Sequence, residues 1–365
     1  MKLPRWTAYL ALSVLAVGLI TAVPSRRKNS REGAARTARE GEPVDTTYER
    51  FVVLGIDGMD PDILAEVIER YPDRMQNFRR LIEHGSGIRE LGTSTPPQSP
   101  VAWSNFITGR DPGGHGIFDF IHRDVETYSM VLGNVTATHT GSVWLPGQWK
   151  FPTQAGGDSN RSGEAFWTTL GKRGVPADVW RMPINFPVEP SAEGLSFPGM
   201  MTPAVDSAYG EPSFYSTDPP IESLEQEKVI QIVVRSGVVH TYLLGPNNSF
   251  KDGDPRTRIP LDIYVDEVAN AIAIELGGSS LVLEPGQWST FVPVSFSMLP
   301  LGLMDVGGIV RFYLRSITPE LELYASPINI DPTAPISPVS APDSASRELA
   351  EKIGLYYTAG MPEDV

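Results

Sequence analysis

The chain has 365 residues with 30 basic and 44 acidic side chains, a formal charge of −14, and 41% hydrophobic against 20% charged residues. That balance excludes a disordered chain, and the acidic excess argues against a surface built to bind nucleic acid. There is no cysteine, which excludes disulfides, thiolate zinc sites, iron–sulfur clusters and a cysteine nucleophile.

The N-terminus comes first. Between Arg5 and Arg26 lie twenty uncharged residues, WTAYLALSVLAVGLITAVPS. As a helix rising ~1.5 Å per residue, that run spans about the thickness of a bilayer core. Residues 1–25 are therefore expected to be a membrane anchor, with a cleaved signal peptide as the alternative. The domain behind them is expected to be extracytoplasmic, or secreted if the segment is cleaved. The basic residues Arg26, Arg27, Lys28 and Arg31 outnumber those before the span and pull the other way. Residues 26–48 turn from basic to acidic without apolar periodicity and read as a solvated linker.

The folded part opens at residue 49. Phe51–Ile56 is a short apolar run ending in Asp57-Gly58, the pattern of a buried parallel strand. Asp60-Pro61 caps a helix over 62–70, a second helix over 75–84 stops at Gly85, and a strand is expected around 87–91. Strand, helix and strand in short order predict an α/β core over 49–219, with a mostly parallel sheet flanked by helices. In such sheets ligands bind at the carboxyl ends of strands, where Asp57 stands.

The richest segment runs from Thr95 to Asp119. Ser99 precedes Pro100, and the pattern from Val101 to Thr108 is helical, so Ser99 is expected to be the N-cap. An N-cap serine ordinarily bonds only a backbone amide of the first turn. The same position also aims free amides and the positive end of the helix dipole at an anion held by the hydroxyl.

The stretch GIDG followed by S-P-x-A-W-x-x-F-x-T-G-x-x-P-x-x-H-G-I-x-D resembles the type I phosphodiesterase/nucleotide pyrophosphatase family of the alkaline phosphatase superfamily. The resemblance is strong from Phe51 to Asp119 and fainter through Phe166–Pro176 to Met200 and Tyr215. It implies an alkaline phosphatase-like core and hydrolysis of small-molecule or head-group phosphoesters. It also implies two divalent metal ions, zinc first among them, with Asp57 as a metal ligand and Ser99 as both nucleophile and ligand. Asp111, His115 and Asp119 are weaker pocket candidates, since Pro112-Gly113-Gly114 breaks the Asp111–His115 spacing and a histidine in that loop is usually structural in the family. Phe120 occupies the place where nucleotide pyrophosphatases often carry a phosphate-binding asparagine, which weakens a nucleotide assignment.

One absence counts against a finished site. The family adds downstream ligands, an Asp-x-x-x-His, an Asp-His pair and a further histidine. The five histidines here are His84, His115, His122, His139 and His240, so none follows residue 240. The chain therefore reads as a C-terminally incomplete core, whether truncated, degenerate or an incomplete sequence. Residues 220–325 alternate in short β-runs and are expected to form an inserted, mainly antiparallel subdomain. Residues 326–365 read as a linker and a helix, 346–357, returning to the core. Two alternatives stand beside the hydrolase: an inactive membrane-anchored fragment without a metal centre, and another superfamily hydrolase or a phosphotransferase. A sulfatase is disfavoured because Ser99-Pro-Val-Ala-Trp lacks that enzyme's nucleophile context.

Overall fold

The computed structural model of the chain describes residues 50–360 apart from 125–126, 134, 138–141, 146, 153–156, 207–209 and 221–227. The expected membrane segment 1–25 and linker 26–48 lie outside the described residues. Among those residues no helix is long and apolar enough to cross a membrane.

Two helices form where local signals place them. The Asp60 carboxylate accepts from the amides of Asp62 at 2.8 Å and Ile63 at 3.0 Å, and Pro61 opens α1 (Pro61–Arg70). An aspartate cap followed by proline satisfies or removes the orphan donors of a first turn. The second helix, α2 (Gln76–His84), ends at Gly85. Neither helix buries a residue.

The runs on either side of these helices depart from expectation. Residues 51–56 and 87–91 are not strands, and Phe51, Leu54 and Leu91 are 84%, 79% and 95% exposed. A buried parallel strand needs hydrogen-bonding neighbours on its edges and cover on its faces. These runs pair with no strand among the described residues, so their apolar side chains stay in water.

Packing begins at α3 (Ser99–Thr108). Its buried residues, Pro100, Val101, Ser104 and Ile107, recur at helical spacing, and Gly109 stops it with φ 64 and an N–H bonded to Asn105 O. A left-handed glycine there meets no Cβ penalty. Asp111 caps the single turn α4 (Pro112–His115). Three small antiparallel pairs follow: β1 (Ile121–Arg123) with β2 (Met130–Leu132), β3 (Val135–Ala137) with β6 (Gly157–Ser159), and β4 (Ser142–Leu145) with β5 (Trp149–Pro152). Then come α5 (Phe166–Gly171) and the parallel pair β7 (Val179–Met182) and β8 (Ser196–Pro198). A small core gathers Ile107 of α3, Ala165, Trp167, Val179, Ile184 and Met201.

The larger core lies among the later strands. β9 (Ser213–Ser216) and β10 (Val229–Gln231) pair in parallel and join β15 (Gln287–Trp288), β18 (Phe312–Ser316) and β19 (Glu322–Ala325) in the order β10-β9-β19-β18-β15. A four-stranded antiparallel sheet runs β11 (Val238–Asn247), β12 (Arg256–Asp266), β13 (Ala271–Leu276) and β14 (Ser279–Leu283). The hairpin of β16 (Val292–Leu299) and β17 (Met304–Val310) completes the set. Alternation sorts the side chains: along β16, Val292, Val294, Phe296 and Met298 are buried while Pro293, Ser295 and Ser297 face solvent.

The fold is thus mixed α/β with many strands and few helices, and its sheets are mostly antiparallel rather than mostly parallel. Connection length gives the reason. Gly277 and Gly278, both at positive φ, turn β13 into β14 within two residues, and so short a turn permits only an antiparallel neighbour. The parallel pairs β7/β8 and β9/β10 are each joined by a longer link. The C-terminal helix α6 (Ala345–Ile353) is shorter than expected, stopping at Gly354 with φ 85.

Candidate active site

The site is assembled by the N-terminal end of α3 and the segment 50–60, which turns at Asp57-Gly58. Ser99 is the first residue of the helix, and Gln98 takes the cap position through its backbone alone. The expected N-cap therefore shifts by one residue. Freed from capping, the Ser99 hydroxyl donates to Asp57 Oδ2 at 2.9 Å. The other carboxylate oxygen, Asp57 Oδ1, accepts from the Trp103 indole Nε1–H at 3.0 Å. Ser99 and Trp103 stand four residues apart and so share one face of α3. Asp57 is exposed and Ser99 half-buried.

The amide cradle expected around Ser99 is not present. Pro100 has no N–H, and the amides of Val101 and Ala102 both donate to Gln98 O, at 3.0 and 2.9 Å. What remains for an anion here is the Ser99 backbone N–H and the dipole of a ten-residue helix.

The weaker candidates are held elsewhere. Asp111 accepts from the amide of Gly114 at 2.9 Å, which fixes α4. Asp119 Oδ1 accepts from the amide of Phe120 at 2.7 Å. His115 is fully buried, with Nδ1 accepting from the Ile117 amide at 3.1 Å and Nε2 2.7 Å from the Asn105 side-chain amide. Both ring nitrogens are engaged, and the ring links α3 to the loop after α4. Burial pushes its pKa below the ordinary histidine value, Asp111 pulls the other way, and Arg161 adds to the depression. A neutral, enclosed imidazole is a structural element of this loop.

The other described histidines are also placed outside the site. His84 Nδ1 lies 2.8 Å from Arg80 O, and His240 pairs with Asp262 at 2.8 Å on the exposed face of β11 and β12. His139 lies outside the described residues. Among the described residues no group of three or more His, Cys, Asp or Glu side chains could hold a metal ion. The set at Ser99 is one carboxylate, with both oxygens already accepting hydrogen bonds, and one hydroxyl. Two-metal centres draw on several carboxylate and imidazole donors, so the residues present do not fit one.

Sequence reasoning passed over Trp103. The signal was available: an indole donor one helical turn after Ser99, and Gly55 and Asp57 at the period-two spacing of an extended chain. A Cβ on Gly55 would lie 2.5 Å from Trp103 Cη2, so only a bare Cα lets the indole rest there.

A family model described as type I phosphodiesterase / nucleotide pyrophosphatase matches residues 51–236, a span holding both Asp57 and Ser99. No curated protein and no solved structure matches the chain.

Proposed function

Because the chain belongs to the type I phosphodiesterase/nucleotide pyrophosphatase family, which implies a hydrolase of small phosphoesters, we propose that it carries the nucleophile half of such a site and needs further donors to complete it. Ser99 is the nucleophile and Asp57 the carboxylate that orients it. The observation that supports this is the 2.9 Å hydrogen bond from Ser99 Oγ to Asp57 Oδ2 at the start of α3.

In the reaction so assigned, Ser99 Oγ forms a bond to phosphorus as the ester P–O bond breaks. Its proton passes along the hydrogen bond to Asp57, the departing alkoxide takes a proton from solvent and leaves as the alcohol, and water later cleaves the seryl phosphoester. A carboxylate alone is a weak base for a serine hydroxyl. Charge neutralisation of a transferring phosphoryl group is worth several kcal/mol of barrier, and the family generally meets that need with divalent metals. The donors beside Ser99 do not supply such a centre. The same reading places the site at a membrane surface through residues 1–25, with extraction of the full chain by detergent but not by high salt as its check.

Turnover of an aryl phosphodiester tests the proposal, with wild type and Ser99→Ala compared with and without added zinc and chelator. The two proteins are expected to be equally inactive, and dialysed wild type to retain less than one zinc per chain. Turnover sensitive to both the chelator and Ser99→Ala would overturn the incomplete-site reading.

A further inference from the structure

We propose that Trp103 is the positioning residue for Asp57, a side chain of α3 that docks the segment 50–60 and so brings the carboxylate to Ser99. The segment has little else to hold it. Phe51, Val52 and Leu54 are exposed, α1 buries nothing, and no strand among the described residues pairs with 51–56. A carboxylate on so sparsely held a chain would not keep a 2.9 Å contact with a serine unaided, because ordering backbone costs conformational entropy at every residue.

Trp103 meets that need from two sides. Its six-membered ring lies against the bare Cα of Gly55, where a Cβ would stand 2.5 Å from Cη2. Its Nε1–H reaches Asp57 Oδ1, two residues further along the chain, at 3.0 Å. A hydrogen bond to a charged acceptor is among the stronger ones available to an indole.

The indole is itself anchored. Its ring meets Phe106 edge-on with centroids 5.9 Å apart, Phe106 meets Phe166 at 5.4 Å, and Phe166 meets Trp167 at 5.1 Å. Trp167 is fully buried. Edge-to-face contacts at these separations are favourable, so a line of four rings carries rigidity from the small core to the exposed aspartate. Ser99 and Trp103 together occupy both oxygens of Asp57, which fixes the carboxylate plane.

The catalytic meaning of this docking rests on the assignment of Asp57 and Ser99 as the phosphoester site, whereas the docking itself is measured without any reaction. The full chain has seven tryptophans and, labelled with 15N-tryptophan, gives an indole N–H resonance for each, Trp103 being identified by its loss in Trp103→Phe. Asp57→Ala is expected to move the Trp103 resonance upfield, further than any of the other six. Gly55→Val, which pushes on the ring from the other side, is expected to move the same resonance, while Ser99→Ala leaves it near its wild-type position. A Trp103 resonance unmoved by Asp57→Ala would overturn the proposal. So would one that Ser99→Ala displaces as far as Asp57→Ala does, since the serine would then be the anchor. Failure of the incomplete-site reading shows as phosphodiester turnover by wild type that Ser99→Ala abolishes, and leaves these spectra untouched.

Discussion

Beside the larger core lies a buried ion pair of Asp206 with Lys228, and removing half of it tests what an unpaired charge costs there. Asp206 Oδ2 contacts Lys228 Nζ directly, with the aspartate side chain fully buried and the lysine side chain 9% exposed. Asp206 also accepts from the Ile328 amide at 3.3 Å, and Lys228 donates to Glu211 O at 3.2 Å. Lys228→Met keeps the length of the side chain but leaves the buried carboxylate without a cationic partner, held only by backbone amides. Breaking a buried pair from one side costs about 3–5 kcal/mol, about a hundred- to several-thousand-fold in the folding equilibrium. Burial raises the Asp206 pKa in the folded state. A group whose folded pKa is raised favours the folded state in acid and loses that contribution as pH climbs through the folded value. The penalty of Lys228→Met is therefore expected to be large at pH 8 and smaller at pH 5, read by urea unfolding with circular dichroism. The double variant Asp206→Leu/Lys228→Met is expected to cost less than the single one. A loss at pH 8 below about 1 kcal/mol, or one of equal size at both pH values, would refute the reasoning, because a solvated or dispensable pair behaves that way.

Gly245→Val should destabilise the chain by about 1–3 kcal/mol, the range for overpacking a core. A Cβ there would stand 2.3 Å from Phe296 Cδ1, and thermal melting measures the loss. His115, held below its ordinary value of 6.5 by burial, gives stability that is complete above that pH and declines as pH falls toward the folded value. The drop in melting temperature between pH 7.5 and 5.5 should accordingly be smaller in His115→Gln than in wild type. Asp60→Ala should cost about 1 kcal/mol of helix stability through the lost cap, seen as reduced helicity confined to α1.

What was legible in the sequence follows from how local each signal is. Asp60 with Pro61 marks the start of α1, and alternation in 271–276 marks β13 to the residue, because caps and period-two burial are decided within a few neighbours. The run 51–56 has the composition of a buried strand, but burial depends on what pairs with it from elsewhere, and nothing in the run itself reports that. The parallel sheet was inferred from that run and falls with it. At Ser99 the error is one residue: Pro100 suits either of the first two helical positions, and the choice of Gln98 as cap is what frees the hydroxyl for Asp57. The meeting of Asp57 and Ser99, 42 positions apart, came from resemblance to a family, since no periodicity links them. Trp103 is visible in the sequence only as one letter of a motif, because its meeting with Gly55 and Asp57 is a tertiary contact.

The unpaired run Phe51–Ile56 has a further consequence, in the behaviour of the chain in concentrated solution. It holds six consecutive residues without charge or proline, rich in Val, Ile, Leu and Phe, and its side chains lie in water. Segments of that make are the ones that stack, copy on copy, into cross-β assemblies when both edges stay open. Sequences that must expose such a stretch commonly flank it with charged gatekeepers, and here Glu49 and Arg50 precede it while Asp57 closes it. Asp57 thus has a second physical role besides its contact with Ser99, as the charge that interrupts self-stacking. A neutral residue at that position removes the carboxylate from the site and the gatekeeper from the apolar run in one step.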